Sequence, residues 1–194
     1  QAVAASRLGA EVVMVTRVGN DVFADTTLEN FHKNGIDTTH VLRTDASSGV
    51  APIFVDPESR NSILIIKGAN AYLSPADVED AREDIAKCKL IVLQLEIPLD
   101  TVYATIELGK VLGIPVLLNP APVAPELDLE RICGIEFFMP NESELELITG
   151  MPVDTLDDVG KATDVLLGGR HHEYHCDLGL AWCDVGPCVW TRNH

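Results

Sequence analysis

The sequence predicts an α/β fold: a mostly parallel sheet with flanking helices and a small β hairpin outside it. Three observations carry this. Short apolar or β-branched runs alternate with helical patterns, and such repetition builds parallel strands joined by crossover helices. A glycine followed by an apolar residue closes helical patterns at Asn34-Gly35-Ile36, Leu112-Gly113-Ile114 and Thr149-Gly150-Met151, a helix C-terminal signal. The stretch 41–67 shows no helical pattern and contains its own turn, Asp56-Pro57-Glu58-Ser59-Arg60-Asn61, as a hairpin requires.

The elements follow in order. Residues 1–8 form a small-residue helix that ends at Gly9. Residues 11–18 are rich in β-branched side chains and read as a buried strand. Gly19-Asn20-Asp21 then opens a helix carrying Phe23, Leu28 and Phe31. Candidate strands follow at 41–43, 49–55 and 62–67. Ser74-Pro75-Ala76-Asp77 starts a helix expected to run to about Lys87, with Ser74 as N-cap and Pro75 at the first helical position. Strands at 90–95, 116–118 and 135–139 lead respectively to a helix near Pro98, to Asn119-Pro120-Ala121-Pro122, and to a helix after Pro140. A final helix starts at Asp154-Thr155-Leu156-Asp157-Asp158 and runs through Leu166.

Bulk properties narrow the function. The chain has 194 residues, of which 46% are hydrophobic, and a formal net charge of -16. That apolar content suits one packed domain. The negative charge argues against non-specific nucleic-acid binding and against an anionic membrane surface. No apolar run reaches membrane-spanning length, and no signal-peptide pattern opens the chain, so a cytoplasmic location is expected. Cys88 and Cys133 sit in apolar runs and read as reduced core residues.

In parallel sheets of this kind, ligands bind beyond the carboxyl ends of the strands. Three successive strands here end in Glu96, Asn119 and Asn141. Asn141 and Glu144 match a capping box, which serves only to start a helix. The same helix N-terminus offers free N–H groups and a dipole that favour an anion, while Glu142 and Glu144 suit a hydrated metal ion that carries one. Glu96 either caps the next helix or meets a ligand. Asn119, before Pro120, either forms a turn or meets a ligand. Lys67-Gly68-Ala69-Asn70 reads equally well as an ordinary turn.

Taken together, these stretches resemble the ribokinase-like (phosphofructokinase B type) carbohydrate kinases, over residues 1–168. Residues 1–10 are similar to the helix that follows the family's glycine-rich sugar-binding motif. Arg17-Val18-Gly19-Asn20-Asp21-Val22-Phe23 is similar to the V-G-x-D-x-F segment. Gly68-Ala69-Asn70, Gln94-Leu95-Glu96, Asn119-Pro120-Ala121-Pro122 and Pro140-Asn141-Glu142-Ser143-Glu144 follow in the family's order. Within the family the set is closest to ribokinase. The resemblance implies a ribokinase-like fold and transfer of the ATP γ-phosphoryl group to ribose, with Mg²⁺ required and a monovalent cation allowed in the parent enzyme. It implies that Glu96 contacts the sugar, that Asn141 meets the nucleotide phosphates, and that Glu144 orders Mg²⁺ through water. It also implies that lid strands, about 49–67, close over the sugar and pair two subunits into a homodimer.

Departures from the family matter as much. The chain begins after the Gly-Gly-x-Gly-x-Asn motif, and no Gly-Ala-Gly-Asp motif is found. No catalytic base is therefore assigned, and the chain as it stands is expected to be an inactive fragment. A non-catalytic sugar- or partner-binding module is the alternative. Residues 169–194 depart from the family and gather His171, His172, His175, Cys176, Cys183 and Cys188. No pair has the regular Cys-x-x-Cys spacing of a zinc site. Back-translated and read one nucleotide later, the tail gives Ile-Met-Asn-Ile-Ile-Val-Thr-Leu-Gly-Ser-Arg-Gly-Val-Met-Trp, the strand and turn the family has there. A frameshifted tail is therefore expected.

Overall fold

The computed structural model describes residues 1–167, 176–178 and 181–183. It divides into two compact units, the first holding Gln1–Lys87 with Glu96–Thr105, the second Cys88–Leu95 with the described residues from Ile106 onward.

In the first unit, helix α1 (Ala2–Arg7) precedes strand β1 (Val13–Val18), helix α2 (Val22–Lys33) and strand β2 (Asp37–Arg43). β1 and β2 pair in parallel, from Val13 opposite Asp37 to Val18 opposite Arg43, so α2 is the crossover helix the alternation predicts. Asp21 caps α2 by accepting from the Ala24 N–H at 2.9 Å. Asp25 in its first turn and His32 and Lys33 in its last suit the helix dipole. β2 begins earlier than the expected 41–43. Asp37-Thr38-Thr39-His40 looks polar and turn-like, but pairing with β1 overrides that weak local preference.

The hairpin is present: β3 (Ile53–Val55) pairs antiparallel with β4 (Asn61–Ile63), with a further bridge between Val50 and Ile66. A 3-10 helix, Gly68–Tyr72, follows it. The helix expected from Ser74 to Lys87 is instead two, α3 (Pro75–Asp80) and α4 (Arg82–Ile85). Its start is as predicted, with Ser74 and Asp77 forming a reciprocal capping box. The break falls at Ala81, whose N–H bonds back to Val78 O at 3.1 Å. That three-residue spacing tightens the turn and interrupts the α-helical ladder. The unit's core includes Val18, Ala24, Ile36, Leu73, Val78, Ala81 and Val102.

Helix α5 (Leu99–Leu112) starts in the first unit and ends in the second. The second unit is built on three parallel strands in the order β5 (Ile91–Leu93), β6 (Val116–Leu118), β7 (Phe137–Phe138). β7 is shorter than the expected 135–139. Glu136 contributes a side-chain oxygen, at 2.8 Å, to the Val116 N–H, so the first donor of β6 is met without backbone pairing. Helix α6 (Glu142–Thr149) follows and ends at Gly150 in the left-handed region, φ 68°. Helix α7 (Leu156–Leu167) packs back on it, with Leu145, Val159 and Ala162 buried together against Met151, Val153 and Leu166. Phe138, Leu118 and Val116 are fully buried in this unit.

Cys133 is exposed and Cys88 half-buried, which corrects the core assignment. Cys133 lies between Ile132 and Gly134 in a turn segment before β7, so its apolar sequence neighbours do not enclose it. Of the tail, β8 (Cys176–Leu178) and β9 (Ala181–Cys183) pair antiparallel. The expected histidine cluster and Cys188 lie outside the described residues. No described helix is long and apolar enough to cross a membrane.

Candidate functional site

The carboxyl ends of β6 and β7 define the candidate site in the second unit. Their hydrogen-bond ladder continues past the strands: Asn119 N donates to Leu93 O at 2.9 Å, Met139 N to Leu118 O at 2.9 Å, and Leu95 N to Ala121 O at 3.0 Å. Asn119 and Asn141 therefore follow neighbouring parallel strands at the same end of one sheet.

Asn141 is extended, with φ -80° and ψ 178°, and serves as the N-cap of α6. Its Oδ1 accepts from the Glu144 N–H at 2.8 Å, and Glu144 Oε2 accepts from the Asn141 N–H at 2.8 Å. The capping box read in the sequence is formed. It fixes both side chains at the mouth of the helix and satisfies two of its free donors. Asn141 and Glu142 stay exposed and Glu144 half-buried, so the edge is open to a ligand.

Asn119 adds something that spacing did not show. Its Oδ1 is buried and has no hydrogen-bond partner among the described residues. A buried acceptor without a donor is costly, and such atoms commonly mark a place for water or ligand. The Ala121–Pro122 peptide just beyond it is cis.

Glu96 is exposed and comes directly after Leu95, at the start of the segment counted with the first unit. Glu96 lies two residues before Pro98, whose carbonyl accepts from the Thr101 and Val102 N–H groups at 3.0 and 3.1 Å as α5 begins. Among the described residues no three His, Cys, Asp or Glu side chains gather as a direct metal cage. One half-exposed carboxylate, Glu144, fits the lighter task of holding a hydrated Mg²⁺ through water.

In the first unit, three loops cross. Asp21 accepts from Ser48 N–H and Ser48 Oγ–H, each at 2.7 Å. The Gly19 N–H donates to Ser48 Oγ at 3.1 Å, and Ala69 N–H to Ser47 O at 2.7 Å. The Ser48 backbone and hydroxyl, with the Ala24 N–H, hold the Asp21 carboxyl below the usual carboxylate range. The resemblance singled out Gly19, Asp21 and Gly68-Ala69-Asn70, but not Ser48. Its only sequence signal was a Ser-Ser-Gly turn at 47–49. Nearby, Arg17 makes a two-pronged ion pair with Asp77, at 2.9 and 2.7 Å. Burial pushes the Asp77 carboxyl up, but the bonds from Arg17 and Ser74 outweigh it and leave it below its ordinary value.

An α/β chain with a parallel sheet, a polar carboxyl edge and an excluded hairpin is the class of protein these features define. Residues 1–170 match the pfkB family carbohydrate kinases, and the chain belongs to that family. It is 58% identical over 168 residues to a deoxyribokinase of Salmonella typhi, covering 86% of this chain and 55% of that protein. It is 38% identical over 190 residues to the mouse ribokinase, covering 97% of this chain and 57% of that protein. The structure of Arabidopsis thaliana ribokinase complexed with ribose and ATP superposes with a TM-score of 0.78 at 24% identity, over 90% of this chain and 57% of that one, which establishes the ribokinase-like fold. The chain spans about half the length of the curated relatives it matches.

Proposed function

We propose that the protein serves in ATP-dependent phosphorylation of a pentose, with the γ-phosphoryl group passing to the sugar's primary hydroxyl. The observation that carries the reading is the Asn141–Glu144 pair fixed at the mouth of α6 beside Asn119 on the carboxyl edge of a parallel sheet, in a chain of the pfkB family. Phosphoryl transfer needs positioning and charge neutralisation more than covalent chemistry from the protein. Asn141 would meet the nucleotide phosphates, Glu144 would hold Mg²⁺ through water, and Glu96 would bind sugar hydroxyls. The ion, when bound, neutralises charge on the phosphates.

Ribose is the sugar implied by the motifs. The 58% identity to a deoxyribokinase, against 38% to the mouse ribokinase, favours 2-deoxyribose, with ribose as the second substrate. A coupled assay of ADP release with each sugar tests this. Since this chain is expected to be inactive, calorimetry decides: binding of deoxyribose above ribose supports the reading with or without turnover, and no binding of either, together with no turnover, overturns it.

Glu144→Gln separates the two roles of that side chain. Glutamine also closes a capping box, so α6 should keep its stability while nucleotide binding in the presence of Mg²⁺ weakens about tenfold or more, as loss of a charge-assisted contact implies. Equal binding by the variant would leave only the capping role.

The hairpin supports a lid that pairs with a second copy. Ile53, Phe54 and Val55 are 61%, 63% and 66% exposed, an apolar strand of the kind that a second copy can cover. Sedimentation of the chain, with Phe54→Lys as the variant that should shift a dimer to monomer, tests this.

A further inference from the structure

The hairpin poses a mechanical question. Val50 pairs with Ile66, Leu64 N donates to Pro52 O at 3.0 Å, and Ile53 pairs with Ile63. The register is the same throughout, so residues 50–66 form one continuous arm. Every residue of β3 and the ladder residues Ile63 and Leu64 are exposed. Little packing along the arm's length therefore sets its direction, and its placement must come from its two roots.

Both roots lie in the crossing built around Ser48. At the first, a Cβ on Gly49 would sit 2.8 Å from Lys67 O and 3.0 Å from Asn70 Nδ2. At the second, Gly68 has φ +50°, and a Cβ there would lie 2.5 Å from Ser47 O and 2.6 Å from Ser48 O. The two ends of the arm are thus pressed together, backbone against backbone, with no room for a methyl group. Ser48 is itself held from outside the arm. Its N–H and hydroxyl both donate to Asp21, and its oxygen accepts from Gly19 N–H. Asp21 is in turn fixed as the cap of α2.

We propose that Asp21 and Ser48 are positioning residues that clamp both roots of the 50–66 arm, tying its placement to the turn between β1 and α2. The clamp is a charge-assisted pair of bonds on a buried serine, so it is stiff. Its role in catalysis rests on the reading of the arm as a lid: the clamp sets where the lid stands before sugar arrives. Neither residue touches substrate in this proposal.

Hydrogen exchange on the 194-residue chain tests it without any activity. Ser48→Ala removes the hydroxyl and keeps the Asp21 cap of α2. The Val50 and Ile66 amides should then exchange about tenfold faster, the equivalent of one net hydrogen bond, while amides of β1 and β2 change less than about twofold. Ser48→Thr, which retains the hydroxyl, should restore protection. Asp21→Asn gives an independent arm if the alanine variant does not fold: one acceptor oxygen cannot serve Ala24 and both Ser48 donors, so Val50 and Ile66 should again be deprotected. Unchanged arm amides in both variants, or equal acceleration of the β1–β2 amides, overturns the clamp. The lid reading fails separately, if adding deoxyribose or ribose to the unsubstituted chain leaves arm exchange unaltered; that result does not touch the variants' comparison.

Discussion

Two helix starts in this protein use the same local device for different ends. At α6, Asn141 and Glu144 exchange hydrogen bonds across three residues, and every bond in the box is local. At α2, Asp21 caps Ala24 three residues on, then reaches across the sequence to Ser48, 27 residues away. The first cap leaves an open, exposed edge. The second is spent on tertiary structure and closes a crowded crossing. An acidic or amide cap at a strand–helix junction therefore does not by itself mark a ligand site; what matters is whether its remaining oxygens are already taken.

Glycines give the sharpest test of that contrast. Gly68 and Gly150 are both left-handed, with φ +50° and +68°, but a Cβ on Gly150 meets nothing within 4 Å while one on Gly68 strikes backbone. Gly68→Ala should destabilise the first unit by about 3 kcal/mol, combining conformational strain with a clash that cannot relax. Gly150→Ala should cost about 1 kcal/mol, from backbone conformation alone. Urea melts of the two variants should separate; equal losses would mean that the crossing yields easily.

Next in size is the ion pair behind the crossing. Arg17→Met removes both bonds to Asp77, whose side chain is only 9% exposed, and should cost about 2 kcal/mol by leaving a poorly hydrated carboxylate. Adding Asp77→Asn should recover part of the loss, as read by a double-mutant cycle.

A smaller effect is expected at α6. Asn141→Ala should cost about 1 kcal/mol through loss of the cap, and Asn141→Asp much less. The alanine variant should speed exchange at the α6 N-terminus only, without reaching the strands.

Acid provides the mildest contrast. The Asp21 carboxyl is depressed by Ser48 and Ala24, so its contribution is fully present above the unfolded-state value of about 3.9 and is lost as pH falls through the lower folded value. Melts between neutral pH and pH 2 should show Asp21→Asn losing less with acid than the unsubstituted chain. An identical acid dependence would remove Asp21 as a contributor.

The sequence was most legible where the forces are local. Ser74-Pro75 announced an N-cap and first turn, and Asn141-Glu142-Ser143-Glu144 announced a capping box, because each bond closes within three residues. Asn34-Gly35 and Thr149-Gly150 announced helix ends for the same reason. The strand cores at 91–93 and 116–118 were visible as apolar runs. β2 was legible only in part, since Asp37-Thr38-Thr39-His40 becomes strand by pairing with β1. The break at Ala81 and the exposure of Cys133 were not legible at all: both depend on how a segment packs, which neighbouring residues in the chain do not encode. At the candidate site, the Asn141–Glu144 capping box was readable from spacing, and the unmet acceptor on Asn119 was not, since burial of a single oxygen is a property of the fold.

By itself the sequence determined the alternation of strands and helices, the N-caps at Ser74 and Asn141, and the resemblance to a carbohydrate-kinase family, because these rest on short-range chemistry and on motifs kept in order. The tertiary structure alone decided that Ser48 ties its loop to Gly19 and Asp21 and that Gly68 lies against the Ser47 and Ser48 backbone. Those outcomes depend on contacts between residues tens of positions apart, and no local pattern carries that distance.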